Sequence, residues 1–238
     1  WDIEQGVNAV ISNLFFEGDL DLGPDWEMYG ATMVTVDWIY QFKNGDDSWE
    51  KKQFDQSDDL NVDDEWWQLL KELHVTWNPG NFFLRLGKQR VSWGEMEVFA
   101  VNDIINPTDQ RRGFSEIELE TLIVPIPLVR AEYGFDVLLG PISDINCQFI
   151  FNPNLDFIGN QGTFYGNDAA GIWAVDLVSD FGFGPWRIGR QDVDLDEPDH
   201  SDGFEYGVRL SSIISSNTLF SVMGFYGKAN SPAATFGA

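Results

Sequence analysis

Hydrophobic and polar residues alternate one by one along much of the chain, a period that predicts β-strands lying between two different environments. In residues 26–42 the even positions are mostly apolar and include Trp26 and Phe42, whereas the odd positions include Glu27 and Asp37. The same alternation recurs further along and weakens near both ends of the chain. We predict eight strands, near residues 13–22, 26–42, 64–77, 82–93, 128–136, 145–152, 203–214 and 219–228.

The connections between these strands also alternate, because short, turn-rich links are interleaved with long loops over residues 43–62, 94–127 and 153–202. Short turns on one side and long loops on the other are typical of outer-membrane barrels. We therefore predict one all-β domain over residues 1–238, an antiparallel transmembrane β-barrel with short periplasmic turns and long extracellular loops. A sandwich with one wet face also alternates, but aromatic residues near strand ends and charges on the polar faces favour the barrel.

Residues 171–181 within the third long loop alternate as well. Two interpretations stay open for this segment. It spans the membrane with "WRIGRQDVDL" at 186–195 as its partner, or it is an amphipathic segment folded within the loop.

Composition narrows the functional classes. The chain has 14 basic and 39 acidic residues, a formal charge of -25, and is 43% hydrophobic and 15% aromatic. It is too apolar for an acidic disordered protein, and its charge argues against nucleic acid as a partner. No apolar run is long enough for a transmembrane helix. The single cysteine, Cys147, excludes an internal disulfide framework.

Catalytic motifs are missing from the sequence, since neither a phosphate-binding glycine loop nor a G-x-S-x-G elbow occurs. We predict no enzymatic activity and no cofactor. Asp192, Asp194 and Asp196 have the spacing of a calcium loop, but the glycine and the final glutamate of that loop are replaced. An irregular calcium site and a solvated acidic loop are both compatible with this run.

Three segments resemble a known family: "LGKQRVSWGE" at 86–95, "NDIINPTDQR" at 102–111 and "PIPLVRAEY" at 125–133. They are similar to porin-like outer-membrane proteins of Gram-negative bacteria, a family largely of unassigned function. The likeness is most specific over residues 65–152. It implies a barrel in the bacterial outer membrane that acts as a channel or export component, with lipid or other hydrophobic cargo in some members. Because such proteins are longer, we expect this chain to be the N-terminal part of a larger barrel.

The loop over residues 94–127 is expected to fold into the lumen as a constriction. Asx-type turns and Pro107 would order it, and Trp93 would anchor it against the wall. The competing interpretation is a loop that only covers the extracellular end. The polar faces and this loop supply the charged residues that we expect to line the lumen: Arg85, Glu95, Glu97, Asp103, Asp109, Arg111, Arg112, Arg130, Glu132, Glu205 and Arg209.

The leading functional hypothesis is a porin-like channel that passes solutes by diffusion through a polar lumen. Its partners would be outer-membrane lipid and lipopolysaccharide, small or lipid-like cargo, and a second copy or another protein. Two alternatives stay open. One is a secreted ligand-binding β-sandwich, and the other is a barrel that serves as a scaffold for an electron-transfer or efflux partner.

Overall fold

An antiparallel sheet of nine strands dominates this computed structural model. The structure describes residues 10–42, 62–63, 69–93, 105–107, 123–153, 181–183, 186–188, 204–215 and 218–227. The elements in chain order are β1 (Ile11–Gly23), β2 (Trp26–Asp37), α1 (Ile39–Phe42), β3 (Val62–Asp63), β4 (Leu70–Trp77), β5 (Phe82–Gln89), β6 (Ile126–Phe135), β7 (Ile142–Asn152), β8 (Phe181–Phe183), β9 (Trp186–Ile188), β10 (Glu205–Ile214) and β11 (Thr218–Tyr226).

The strands of the main sheet follow one another in the order β1-β2-β4-β5-β6-β7-β10-β11, and β3 pairs with β2 beside this path. All neighbouring strands are antiparallel. Each of the eight predicted ranges overlaps one strand of this path. Four short hairpins therefore lie at one end of the sheet, and the three long connections lie at the other. The all-β antiparallel architecture is confirmed.

Strand β2 ends at Asp37, earlier than the alternation to Phe42 predicts. The Asp37 carboxylate accepts hydrogen bonds from the backbone N–H groups of Ile39 (3.1 Å) and Val10 (3.0 Å). A side chain that caps the following N–H groups favours a turn over continued strand pairing. The chain then forms the single helical turn α1.

Strand β5 ends at Gln89, although the sequence predicts a strand to residue 93. At Gly87 the backbone has a φ of +129°, and an added Cβ would lie 2.3 Å from the carbonyl oxygen of Leu73. Only glycine allows the two strands to approach so closely at this φ. Beyond this point the N–H of Val91 donates to the side chain of Asn106 (2.9 Å) instead of to a neighbouring strand.

The predicted loop over residues 153–202 contains the hairpin β8–β9, which forms a separate two-stranded sheet. The segment proposed as a partner for residues 171–181 thus begins with β9, and β9 pairs with β8. Residues 171–180 lie outside the described part of the chain.

The two faces of the main sheet differ sharply in polarity and exposure. On β4, Leu73 is 40% exposed whereas the next residue, His74, is 5% exposed, and on β7 Phe149 is 41% exposed whereas Ile150 is 2% exposed. We call the exposed, apolar side the outer face and the opposite side the inner face. A sandwich would bury its aromatic rows in a dry interior. Here no element in the described part of the chain covers those aromatic rows.

A small apolar cluster lies on the inner face at the end with the long connections. It contains Val91, Trp93, Ile105, Ile126, Leu128 and Ile150, with Met223 and Phe225 packed against it. Three of these residues come from the connection between β5 and β6, so the described parts of this connection lie over the inner face.

Strands β1 and β11 each pair on one side only within the described residues, and the main sheet does not close into a cylinder there. Closure is therefore a proposal that we take up below. In the same part of the chain, no helix has the length and apolar character needed to cross a membrane.

Candidate functional site on the inner face

The inner face brings together five of the residues predicted to line a lumen. Arg85 on β5 lies directly opposite Arg130 on β6. Glu132 follows on β6, while Glu205 and Arg209 lie on β10. These residues share one face because every second residue of a strand points to the same side of the sheet.

Two arginines share one aromatic ring at the centre of this face. The guanidinium carbons of Arg85 and Arg130 lie 5.1 and 5.2 Å from the ring centroid of Phe83. Like charges directly opposite in a sheet repel, and stacking on a shared ring offsets part of that repulsion. The positive charge of Arg130 is also compensated by an ion pair with Glu132. Arg85 donates from Nε to the hydroxyl oxygen of Thr76 at 3.0 Å.

A chain of side-chain hydrogen bonds runs from this pair to the apolar cluster. The amide nitrogen of Gln148 donates to the Glu132 carboxylate at 2.7 Å. The indole N–H of Trp93 in turn donates to the amide oxygen of Gln148. These bonds satisfy the polar atoms that the connection buries, so Trp93 can lie on a face that is otherwise polar.

Trp93 is 2% exposed, and it fits because Gly207 on β10 has no side chain. An added Cβ at Gly207 would lie 2.5 Å from Cη2 of Trp93. The ring also meets Phe225 edge-on, with 6.5 Å between centroids. The expectation that Trp93 anchors this connection against the wall therefore has a specific contact behind it. No pattern in the sequence indicated that Gly207 would contact the indole ring.

Two buried amides brace the start and end of the same connection. The Nδ2 of Asn106 donates to the carbonyl oxygen of Val124 at 3.0 Å, while its Oδ1 accepts from Val91. The Nε2 of Gln89 donates to the carbonyl oxygen of Leu128 at 3.0 Å. These contacts replace the backbone pairing that ends with β5. The segments at 86–95 and 102–111, which resemble the porin-like family, therefore contain residues with a structural role.

The β1–β2 hairpin adds carboxylates that sequence reasoning did not include among the site residues. Glu17, Asp19 and Asp21 occupy alternate positions of β1, and Asp21 lies opposite Glu27 on β2. The alternation of acidic residues at 17, 19 and 21 was the available signal. Asp19, Asp21 and Glu27 border an open depression of about 970 Å³ at the short-turn end, whose other side is formed by Thr76, Phe83 and Arg85.

A second polar group joins the hairpin to β4. The hydroxyl of Tyr29 donates to the Glu17 carboxylate at 2.7 Å. Its ring stacks on His74 with 5.1 Å between centroids. The Nε2 of His74 lies 3.7 Å from the Glu72 carboxylate. His74 is thus a buried part of the polar inner face.

The remaining predicted site residues lie outside the described part of the chain: Glu95, Glu97, Asp103, Asp109, Arg111, Arg112, Asp192, Asp194 and Asp196. The constriction and the calcium site that they would form stay predictions. Within the described residues no group of three or more His, Cys, Asp or Glu side chains is arranged to hold a metal ion.

The model of the family described as "Protein of unknown function (DUF1302)" matches residues 5–232. No curated protein and no solved structure matches the chain.

Proposed function

The chain belongs to the DUF1302 family, whose description assigns no function, and we propose that it forms the wall of a porin-like channel in a bacterial outer membrane. The observation that carries this proposal is the inversion of polarity in the main sheet. Large apolar side chains are exposed on the outer face, and the charged side chains of Arg85, Arg130 and Glu132 lie on the inner face. Water on the inside and hydrocarbon on the outside would satisfy both faces at once.

Aromatic rings lie at both ends of the outer face, as expected for girdles at two membrane interfaces. At the short-turn end Trp26 stacks on Trp77 with 5.6 Å between centroids, and Tyr133 lies 4.8 Å from Phe135. At the opposite end the closest pair is Tyr206 with Tyr226 (5.1 Å). Trp38 and Phe204 are exposed at that same end.

The length of β2 fits the thickness of a membrane. Its 12 residues extend about 40 Å at roughly 3.3 Å per residue. A strand tilted by about 45° then spans roughly 28 Å along the membrane normal, against an apolar band of about 25 Å in outer-membrane barrels. The strand and the aromatic rows therefore fit a single bilayer.

The contents of the inner face argue for a wide cylinder. A barrel of about eight strands has an interior that its own side chains fill. In this protein the inner face also carries Trp93, Ile105 and neighbouring parts of a connection. Open sheet edges do not occur in hydrocarbon. We infer that further strands pair with β1 and β11 to complete a wall of more than eight strands, with the connection after β5 narrowing the lumen.

The chemistry proposed is passive diffusion of small solutes through a charged lumen, without catalysis. Hydrophobic cargo is implied by the family resemblance alone, and the polar inner face does not favour it.

Extraction and conductance test this function. We expect the protein to stay in the outer-membrane fraction until detergent is added, and to migrate differently on gels before and after heating. Purified protein added to planar bilayers in KCl should give stepwise conductance. Folded protein that is released into aqueous buffer without detergent, or that inserts and remains silent, would contradict the proposal. The first of these outcomes would favour a secreted binding protein.

A further inference from the structure

The depression at the short-turn end of the inner face has walls of opposite charge. One wall is the β1–β2 hairpin with Asp19, Asp21 and Glu27, and the other carries Phe83 and Arg85. The depression lies at the opposite end of the sheet from Trp93, so the proposed constriction does not account for it.

Arg85 is the cation of this wall, and no carboxylate of the described residues lies within ion-pair distance of it. Within the described part of the chain it makes no ion pair, whereas Arg130 is paired with Glu132. The bond from its Nε to Thr76 draws the guanidinium over β4, toward the hairpin. Phe83 lies beneath it. A guanidinium held in this way presents its remaining N–H groups to a carboxylate.

The carboxylates of the acidic wall are also available to a ligand. Among the described residues, the carboxylates of Asp19 and Glu27 take part in no hydrogen bond or ion pair, while Asp21 accepts a bond from the N–H of Gly23 at 3.2 Å. Glu27 lies opposite Thr76, and Thr76 lies opposite Arg85. Two interstrand spacings, about 10 Å in all, therefore separate the backbone of Glu27 from the backbone of Arg85.

We propose that this depression binds basic amino acids, meaning solutes with one carboxylate and two ammonium groups joined by an aliphatic stem. The carboxylate meets Arg85, the ammonium groups meet Asp19 and Glu27, and the stem lies against Phe83. The excess of carboxylates over guanidinium groups matches the excess of positive charge on such a solute. The role in permeation rests on the proposed channel, whereas the binding can be measured without it. Weak binding at an open site suits a solute that must also leave.

A ligand-observed NMR titration of the detergent-solubilised protein tests the proposal with three probes. L-lysine has all three charges, cadaverine has the same stem without the carboxylate, and hexanoate has a carboxylate without ammonium groups. We expect L-lysine to bind more tightly than either of the other probes. An outcome in which cadaverine binds as tightly as L-lysine would overturn the assignment of Arg85.

Substitutions distinguish the contributions of the two walls to binding. Arg85→Gln should weaken L-lysine binding about tenfold, as expected for the loss of one charged hydrogen-bonded contact, and should leave cadaverine binding unchanged. Asp19→Asn combined with Glu27→Gln should weaken the binding of both. Arg90→Gln and Asp144→Asn change the same charges at exposed positions outside the depression, and they should alter neither. Should Arg85→Gln fail to fold, Arg85→Lys keeps the charge without the planar fork and should give intermediate L-lysine binding.

Conductance distinguishes the failure of this inference from the failure of the proposed channel. Stepwise KCl currents with no measurable L-lysine binding would refute the basic amino-acid site and leave the channel standing. L-lysine binding that depends on Arg85, found in a protein that never conducts, would refute the channel and keep the site.

Discussion

Trp93 and Gly207 form the tightest contact between the inner face and the connection that follows β5, and this contact predicts a specific pattern of stabilities. Trp93 is 2% exposed, and a buried Trp removes roughly 150–250 Å² from water. At about 25 cal/mol per Å² this burial is worth roughly 4–6 kcal/mol as an upper value. Truncation of a buried aromatic costs about 3–5 kcal/mol in measured cases. We expect Trp93→Ala to lower the free energy of unfolding by about 4 kcal/mol.

Gly207→Ala tests the same contact from the other side. Its Cβ would lie 2.5 Å from Trp93, 3.1 Å from Phe225 and 3.2 Å from Ile150. Because the indole must move, we expect a cost of about 1–3 kcal/mol. When Trp93 is already alanine, the closest obstacle is gone and the same change should cost less than about 1 kcal/mol. Gly224→Ala on β11 is the matched control, since an added Cβ there meets nothing within 4 Å.

The assay is a double-mutant cycle in detergent micelles, with unfolding followed by urea titration or by the heat-dependent shift on gels. The two substitutions should be non-additive by about 1–2 kcal/mol. Under the proposed function, Trp93→Ala should also raise single-channel conductance, because it releases a connection that narrows the lumen. Strictly additive costs, or a Gly207→Ala variant as stable as Gly224→Ala, would refute this packing.

Three further predictions concern the faces and the strand ends. On β10, Val208→Lys places a charge on the outer face and should lower the free energy of unfolding in a membrane by about 2–4 kcal/mol. Ser211→Lys places the same charge on the inner face and should be well tolerated. A folding titration into vesicles measures both, and equal losses would contradict the assignment of faces. Gly87→Ala should abolish the native heat-modifiable form through its clash with the neighbouring strand, whereas Gly134→Ala, whose nearest contact is 3.9 Å, should retain it. Asn106→Ala leaves buried backbone groups unpaired and should lower the free energy of unfolding by about 2–4 kcal/mol. Urea titration measures this loss, and an unchanged unfolding midpoint would show that Asn106 does not brace the connection.

The strands could be predicted because each has to satisfy two different environments. Leu73 and His74 are neighbours in sequence and lie on opposite faces, and no helix could separate them in this repeating way. The order of the strands followed from the lengths of the links, since a short link joins antiparallel neighbours. The placement of Arg85, Arg130 and Glu205 on one face followed from the same period.

The ends of strands and the close approaches could not be predicted, because they depend on contacts between distant residues. The alternation continues past Asp37, yet its carboxylate accepts a hydrogen bond from the N–H of Ile39, and the strand ends at Asp37. Gly207 looks like any other glycine in the sequence, and its role depends on where Trp93 lies. The carboxylates of β1 were visible in the sequence, but only the pairing of β1 with β2 brings them to the depression.

The segments that resemble porin-like proteins include residues that make the tertiary contacts of the inner face. Gly87 allows two strands to approach, Gln89 and Asn106 pair with the backbone, and Trp93 anchors the connection to the inner face. Two of the three groups to which we assign the solute, Asp19 and Glu27, lie outside residues 65–152, where the likeness is most specific. A resemblance of this kind therefore predicts a shared wall more strongly than a shared cargo. Under the proposed function, two proteins with the same three segments should fold alike and still differ in the solutes they pass.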